Sequence, residues 1–308
     1  MSNVIKPFEA LEFSDDFMFK RVMKDESICK GVLERILGVE IGHVEYHESE
    51  KTLDSSYDSK GIRMDIYLAS GNARYDIEMQ TRPQKAIGKR ARYYQSSMDI
   101  DALEHGEDYE KMKDSYIIFI CLHDPFGENY CRYTFKESCQ ENPDVPLEDG
   151  TVKVILNAGG DTRNESLEMK RFLNFVSGRN DSEENEYDEL IDRIENKIIS
   201  ERKSSEGRHE YMMVSLKYQD MKREGREEGR EEGREEGSDL KLISQIYRKM
   251  QKNQTPSQIA EDLLEDEDKV QLIYNIVQNH SDGFDSEMIY REFKQKNNKF
   301  SDDLNKRG

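Results

Sequence analysis

Two short runs of alternating hydrophobicity, set symmetrically about Gly71-Asn72, constrain this chain more than any other feature. From Ile62 to Ala69 a period of two puts Ile62, Met64, Ile66 and Leu68 on a core face and Asp65 on the opposite one. From Arg74 to Gln80 it puts Tyr75, Ile77 and Met79 on the core face and Asp76, Glu78 and Gln80 on the other. Alternating runs joined by a Gly-Asn turn predict a β-hairpin. Its symmetry places position 65 opposite position 78, so Asp65 and Glu78 become cross-strand neighbours.

The flanking patterns extend this hairpin into a layered core. Phe17, Val22, Val32, Leu33, Ile36 and Leu37 recur at helical spacing, which predicts a helix over Ser14–Leu37 with Ser14 as N-cap and Gly38 as stop. Val44 to Glu48 reads as a strand. Ala86 to Leu103 returns to helical character and Gly106 ends it, while the continuous apolar run Ser115 to Leu122 suits a strand buried on both faces. Weaker patterns predict strands at Cys131–Phe135 and Val152–Leu156 and helices at Ser166–Val176 and Glu186–Arg202. Helix, three strands, helix, strand is the order of an α/β core with a small mixed sheet.

Two carboxylates directly opposite on a sheet, with Cβ atoms about 4.5–5.5 Å apart, repel unless something positive lies between them. A divalent cation fits, and oxygen donors without a His or Cys pair favour Mg²⁺ or Mn²⁺ over Zn²⁺. Gln80 projects from the same face and could orient a metal-bound water. Alternation alone also allows a second outcome, in which the acids lie on an exposed face paired with Arg63 and Arg74. The segment Thr81–Met98 then contains Arg82, Lys85, Lys89, Arg90 and Arg92 and no acidic residue, in a chain of net charge −19. Such a segment suits a polyanion, with Tyr93 and Tyr94 available to stack on bases or donate to phosphate. The alternative is that it docks on acidic surface of the same protein.

Phe17-Met18-Phe19-Lys20, Met64-Asp65-Ile66, Tyr75 to Gln80, Arg90 to Tyr94 and Gly106 to Tyr109, in that order, resemble the PD-(D/E)XK nuclease family transposases, the recombination-promoting nuclease group of bacteria. The resemblance spans roughly Phe8 to Arg202. It implies a restriction-endonuclease-like α/β fold, Asp65 and Glu78 as Mg²⁺ ligands, and Gln80 as the residue assisting the attacking water. The chain departs from the superfamily pattern at Gln80, where Lys is usual, and at Met64, where Pro would precede the Asp. Asp16 resembles an acidic position that some superfamily members use as an extra ligand; its other role is to interact with a helix dipole. The expected function is a Mg²⁺-dependent DNA endonuclease, recombination-promoting or transposase-related. An adaptor on a decayed nuclease scaffold, acting through the C-terminal helices, is the alternative.

The remainder of the chain is organised differently. Lys222-Arg223-Glu224-Gly225 is followed by three copies of Arg-Glu-Glu-Gly ending at Gly237. In a helix each glycine costs about 0.8–1 kcal/mol relative to Ala, and no apolar seam for a coiled coil exists, so a solvated, partly helical spacer is predicted. Beyond it three amphipathic helices are expected, the second opening on Thr255, Pro256 and Gln258 as a capping box. Glu265 to Asp268 would repel a DNA backbone, so these helices read as a packing or dimerisation module rather than a helix-turn-helix. The expected divisions are a nuclease-like domain over 1–205, the spacer over 206–239, the helical module over 240–280 and a loosely held tail over 281–308.

With 308 residues, only 35% of them apolar, one proper core plus a polar appendage is expected. The acidic balance argues against nonspecific coating of nucleic acid. No apolar run approaches the roughly 18–20 residues of a membrane helix. Nor does the N-terminus carry a signal-peptide core, so a cytoplasmic location is expected. Four cysteines without Cys-x-x-Cys spacing suggest reduced thiols, not disulfides or zinc.

Overall fold

The computed structural model describes residues 6–49, 52–53, 62–102, 107–179, 187–280 and 284–305. Two compact units make up the chain, Met1–Met213 and Val214–Gly308.

The first unit is built on a six-stranded mixed sheet in the order β1-β4-β5-β6-β8-β7, formed by β1 (Glu45–Ser49), β4 (Ile66–Ser70), β5 (Ala73–Gln80), β6 (Asp114–Cys121), β7 (Arg132–Phe135) and β8 (Thr151–Asn157). The hairpin β4–β5 pairs Ser70 with Ala73, Leu68 with Tyr75 and Ile66 with Ile77, the register symmetric about Gly71-Asn72. Strands β5, β6 and β8 then run parallel, while β1 and β7 close the two edges antiparallel.

The predicted strand from Ile62 to Ala69 is interrupted. Ile62–Arg63 forms β3, which pairs with β2 (Thr52–Leu53) in a separate ribbon, and Met64-Asp65 is a bend before β4. The reason is local: the Asp65 backbone N–H donates to the Glu78 side chain and so leaves the ladder. Met64 consequently lies on the opposite side of the sheet from Ile66 and Leu68, against the expectation of a shared face.

Both faces of the sheet are covered. On one, α1 (Asp16–Met23), α2 (Glu26–Leu37), α4 (Leu167–Ser177) and α5 (Glu189–Lys203) pack Phe19, Val22, Leu33, Phe172 and Ile194 into a core with Ile66, Leu68, Ile77, Ile118 and Ile120. On the other, α3 (Ile87–Ala102) lays Ile87, Ala91, Tyr94 and Met98 over Tyr67, Ile117, Phe119 and Cys121. From Tyr116 to Cys121 β6 is apolar because its residues alternate between these two cores.

The helix expected over Ser14–Leu37 is two helices. Asp25 ends the first register because its side chain accepts from the Ser27 and Ile28 N–H groups and so starts α2 as an N-cap. Asp15, not Ser14, stands at the N-cap of α1. Gly106 and Glu186, expected to end one helix and begin another, lie outside the described residues.

Ser205–Met250 forms one continuous helix, α6, of 46 residues, so the Arg-Glu-Glu-Gly segment is helical throughout rather than in part. The first turns of α6 belong to the sheet-bearing unit, which runs to Met213: Tyr211 packs on Phe8 and Phe17, at 5.8 and 5.1 Å between ring centroids.

In the second unit Leu242, Ile243 and Ile246 of α6 form a core with α7 (Pro256–Leu263), α8 (Glu267–Asn279) and α9 (Ser286–Asn305). Thr255 and Gln258 make the predicted capping box. The stretch 281–308, expected as a loose tail, carries α9, whose Ile289 and Phe293 are buried in this core. Their spacing of four residues puts both on one helical face.

Candidate active site

At the open end of the β4–β5 ladder the sheet gathers three acids under α3. Strand alternation turns Asp76, Glu78 and Gln80 to the α3 side, and the bend at Met64-Asp65 brings Asp65 to Glu78. Asp65 donates its N–H to Glu78 Oε1 at 3.0 Å, and its Oδ2 accepts from the Met79 N–H at 3.4 Å. All four side chains are buried, so the exposed-face alternative does not hold: Asp76 is 0% and Glu78 1% exposed.

Two cations reach these acids from opposite sides of the sheet. Lys20, on α1, places Nζ 2.9 Å from Asp65 Oδ1 and 3.0 Å from Asp16. Arg90, on α3, donates to Glu78 Oε2 and to Gln80 Oε1, each at 2.9 Å, and also to Gln84. Its guanidinium is held further by the Tyr94 hydroxyl at 2.9 Å and lies 5.1 Å from the Tyr94 ring centroid. Gln80 completes the set by donating to Glu78 Oε2 at 3.3 Å. Among the described residues Asp76 has no such partner: neither of its carboxylate oxygens is hydrogen-bonded.

The electrostatics follow from this imbalance. Burial, and then the neighbouring Asp65 charge, push Glu78 up to about 8 despite Arg90 and Lys20. Burial raises Asp65 as well, with Lys20 opposing, and burial next to Glu78 and Asp65 pushes Asp76 well above the ordinary carboxylate range. Burial works against the Lys20 ammonium, yet Asp65 and Asp16 outweigh it and hold its pKa high. Three buried acids thus face two half-buried cations. The donors are hard oxygens, and the unpartnered Asp76 marks a cluster short of positive charge, so the residues fit a divalent cation of the Mg²⁺ or Mn²⁺ type. Asp65 and Glu78 would hold it.

Asp16, the further ligand that the resemblance suggested, lies across the Lys20 ammonium from Asp65. It is exposed and is linked to the pair through Lys20, and among the described residues no group of three His, Cys, Asp or Glu side chains is arranged around one point. The basic segment divides in two. Arg82, Lys85, Lys89, Arg92 and Tyr93 are exposed, and among the described residues the four cations form no ion pair. Arg90 and Tyr94, expected on the nucleic-acid face, turn inward instead, because Tyr94 shares the apolar stripe of α3 and Arg90 borders it. Arg74 faces neither acid of the pair; it bonds the Tyr67 hydroxyl and Asp101.

Sequence reasoning assigned no role to Lys20, Asp76 or Gln84. Asp76 carried a signal, being a third acid in phase with Glu78. The i,i+4 spacing of Asp16 and Lys20 announces only their own pair, not the reach to Asp65.

A mixed sheet covered by helices on both faces, with buried carboxylates converging at the end of a central hairpin, is a restriction-endonuclease-like α/β fold. The family model of the PD-(D/E)XK nuclease family transposases matches residues 14–227, and the chain belongs to that family. No curated protein and no solved structure matches it. Nucleases of this family generally use divalent metal ions, and the family implies a DNA substrate. Among the described residues no helix is long and apolar enough to cross a membrane.

Proposed function

We propose that the sheet-bearing unit is a metal-dependent DNA endonuclease that hydrolyses phosphodiester bonds, with a role in recombination or transposition. The buried Asp65–Glu78 pair, beside an Asp76 carboxylate that has no hydrogen-bond partner among the described residues, carries this reading. Asp65 and Glu78 would hold Mg²⁺ or Mn²⁺, which when bound lowers the pKa of a water and stabilises charge on phosphate oxygens. Gln80, fixed between Glu78 and Arg90, orients the attacking water through its amide. Arg90 sets the positions of Glu78 and Gln80. Arg82, Lys85, Lys89 and Arg92, exposed at and after the end of β5, contact the phosphate backbone, and Tyr93 adds a stacking surface.

Engagement of both Glu78 oxygens, Oε2 by Arg90 and Gln80 and Oε1 by the Asp65 N–H, favours a second reading, a catalytically silent adaptor acting through its C-terminal helices. Nicking of supercoiled plasmid separates the two. The nuclease reading expects cleavage with Mg²⁺ that EDTA, Asp65→Asn and Glu78→Gln each abolish. Cleavage surviving all three would refute the mechanism, and a chain binding neither Mg²⁺ nor Mn²⁺ in calorimetry would favour the adaptor.

A further inference from the structure

Phosphodiester hydrolysis places extra negative charge on the phosphate in the transition state, and fixed positive charge aimed at it is among the largest catalytic effects available. Gln80 is neutral and cannot provide it. Among the described residues only Lys20 and Arg90 bring cationic groups to the Asp65–Glu78 pair.

These two cations are held in different ways. The Arg90 guanidinium is committed along its whole fork, to Glu78, Gln80, Gln84 and the Tyr94 hydroxyl, and lies 5.4 Å from the Phe119 ring centroid. Moving it would dismantle the setting of both Glu78 and Gln80. Lys20 instead brings a compact ammonium on a flexible stem, steadied by Asp16 one helical turn earlier and directed at Asp65. Its neighbours on α1, Met18, Phe19, Val22 and Met23, are buried in the core, and Arg21 is engaged elsewhere with Glu201 and Glu210. A buried ion pair adds little net stability over a well-packed apolar pair, so fold stability alone does not call for a lysine here.

We propose that Lys20 supplies, from α1, the positive charge at the reacting phosphate that position 80 lacks. The inference rests on the nuclease reading above. In the hydrolysis a water oxygen bonds to phosphorus and one bridging P–O bond breaks; the water gives a proton to solvent, and the departing alkoxide takes one up. Lys20 keeps its proton throughout and acts by charge.

The test compares the full-length chain with Lys20→Met and with the double variant Lys20→Met/Gln80→Lys. Plasmid nicking is read at saturating DNA, and Mn²⁺ binding to the metal-free chain is read by calorimetry. Lys20→Met should lower kcat by about 100-fold or more and change KM for DNA by less than about threefold. Its Mn²⁺ affinity should match or exceed that of the unsubstituted chain, since a competing cation has been removed. Lysine restored at position 80 should recover at least about tenfold of the lost rate, a rescue that a purely structural role for Lys20 would not produce. If Lys20→Met does not fold, Lys20→Gln, able to hydrogen-bond Asp65, makes the same comparison.

A substituted chain that nicks at the original rate, or a folded one whose loss is not recovered by Gln80→Lys, overturns the role of Lys20 and leaves the nuclease reading intact. An unsubstituted chain that neither binds Mn²⁺ nor nicks DNA overturns both.

Discussion

Replacing Gly225, Gly229, Gly233 and Gly237 together by Ala should strengthen the middle of α6. An added Cβ at each of the four positions meets nothing within 4 Å, so no clash offsets the gain. Each replacement contributes about 0.8–1 kcal/mol in a helix interior, or about 3–4 kcal/mol for the set. Against this, the repeat offers little native support. Arg lies over Arg and Glu over Glu at i,i+4, and only pairs such as Glu227 with Arg230 help, at about 0.2–0.5 kcal/mol each. The central turns of a 46-residue helix are therefore its weakest. Amide hydrogen exchange resolved over residues 226–238 reads this directly, because opening there exposes the segment without unfolding either core. The four-alanine chain should slow exchange by between two and three orders of magnitude, about 1.4 kcal/mol corresponding to a factor of ten. Unchanged exchange rates, or no protection in either chain, would refute the account of this segment as a continuous helix limited by its glycines.

If Lys85, Lys89 and Arg92 contact phosphates, the fall of log affinity for duplex DNA with log salt should become shallower by about 0.9 for each contact removed by alanine; an unaltered slope in the triple variant would move the footprint elsewhere. Asp76 contributes, together with Glu78 and Asp65, to the dependence of stability on pH. Its folded-state pKa is raised by burial and by Glu78, so the native chain binds this proton more tightly than the unfolded one. The contribution is full below the ordinary carboxylate range and is lost as pH rises toward the folded value, by up to about 1.36 kcal/mol per pH unit. Asp76→Asn should flatten that decline in urea unfolding between pH 5 and pH 8 in EDTA, and an identical decline in both chains would show that Asp76 is not its source.

The hairpin was legible because turn chemistry and a period of two together leave little freedom of register. Asp65 and Glu78 meet as that symmetry demands, although Asp65 stands just beyond the ladder. Burial of the acidic face was harder to read. The stripe Ile87, Ala91, Tyr94 and Met98 has the spacing of a core-facing helix, but Lys89, Arg90 and Arg92 lie between its members and draw attention to charge. Arg90 borders that stripe, which is why a residue expected at phosphate bonds Glu78 instead. The reach of Lys20 to Asp65 depends on how α1 crosses the end of the sheet, and no local pattern encodes it. In α6 the glycine penalties are real, but propensity is a local quantity, and it failed to anticipate a helix that begins in one packed unit and ends in another's core.

The two cations that reach the site come from helices belonging to different hydrophobic layers, α1 on one face of the sheet and α3 on the other. A folding intermediate with only one layer docked would leave Asp65 or Glu78 without its counter-ion beside a second acid. It would also leave Gln80 unset, or the Lys20 ammonium out of reach. On the nuclease reading, competence for phosphate chemistry would be a property of the completed fold alone, and a nascent or damaged chain that had lost either layer would be silenced by the same loss.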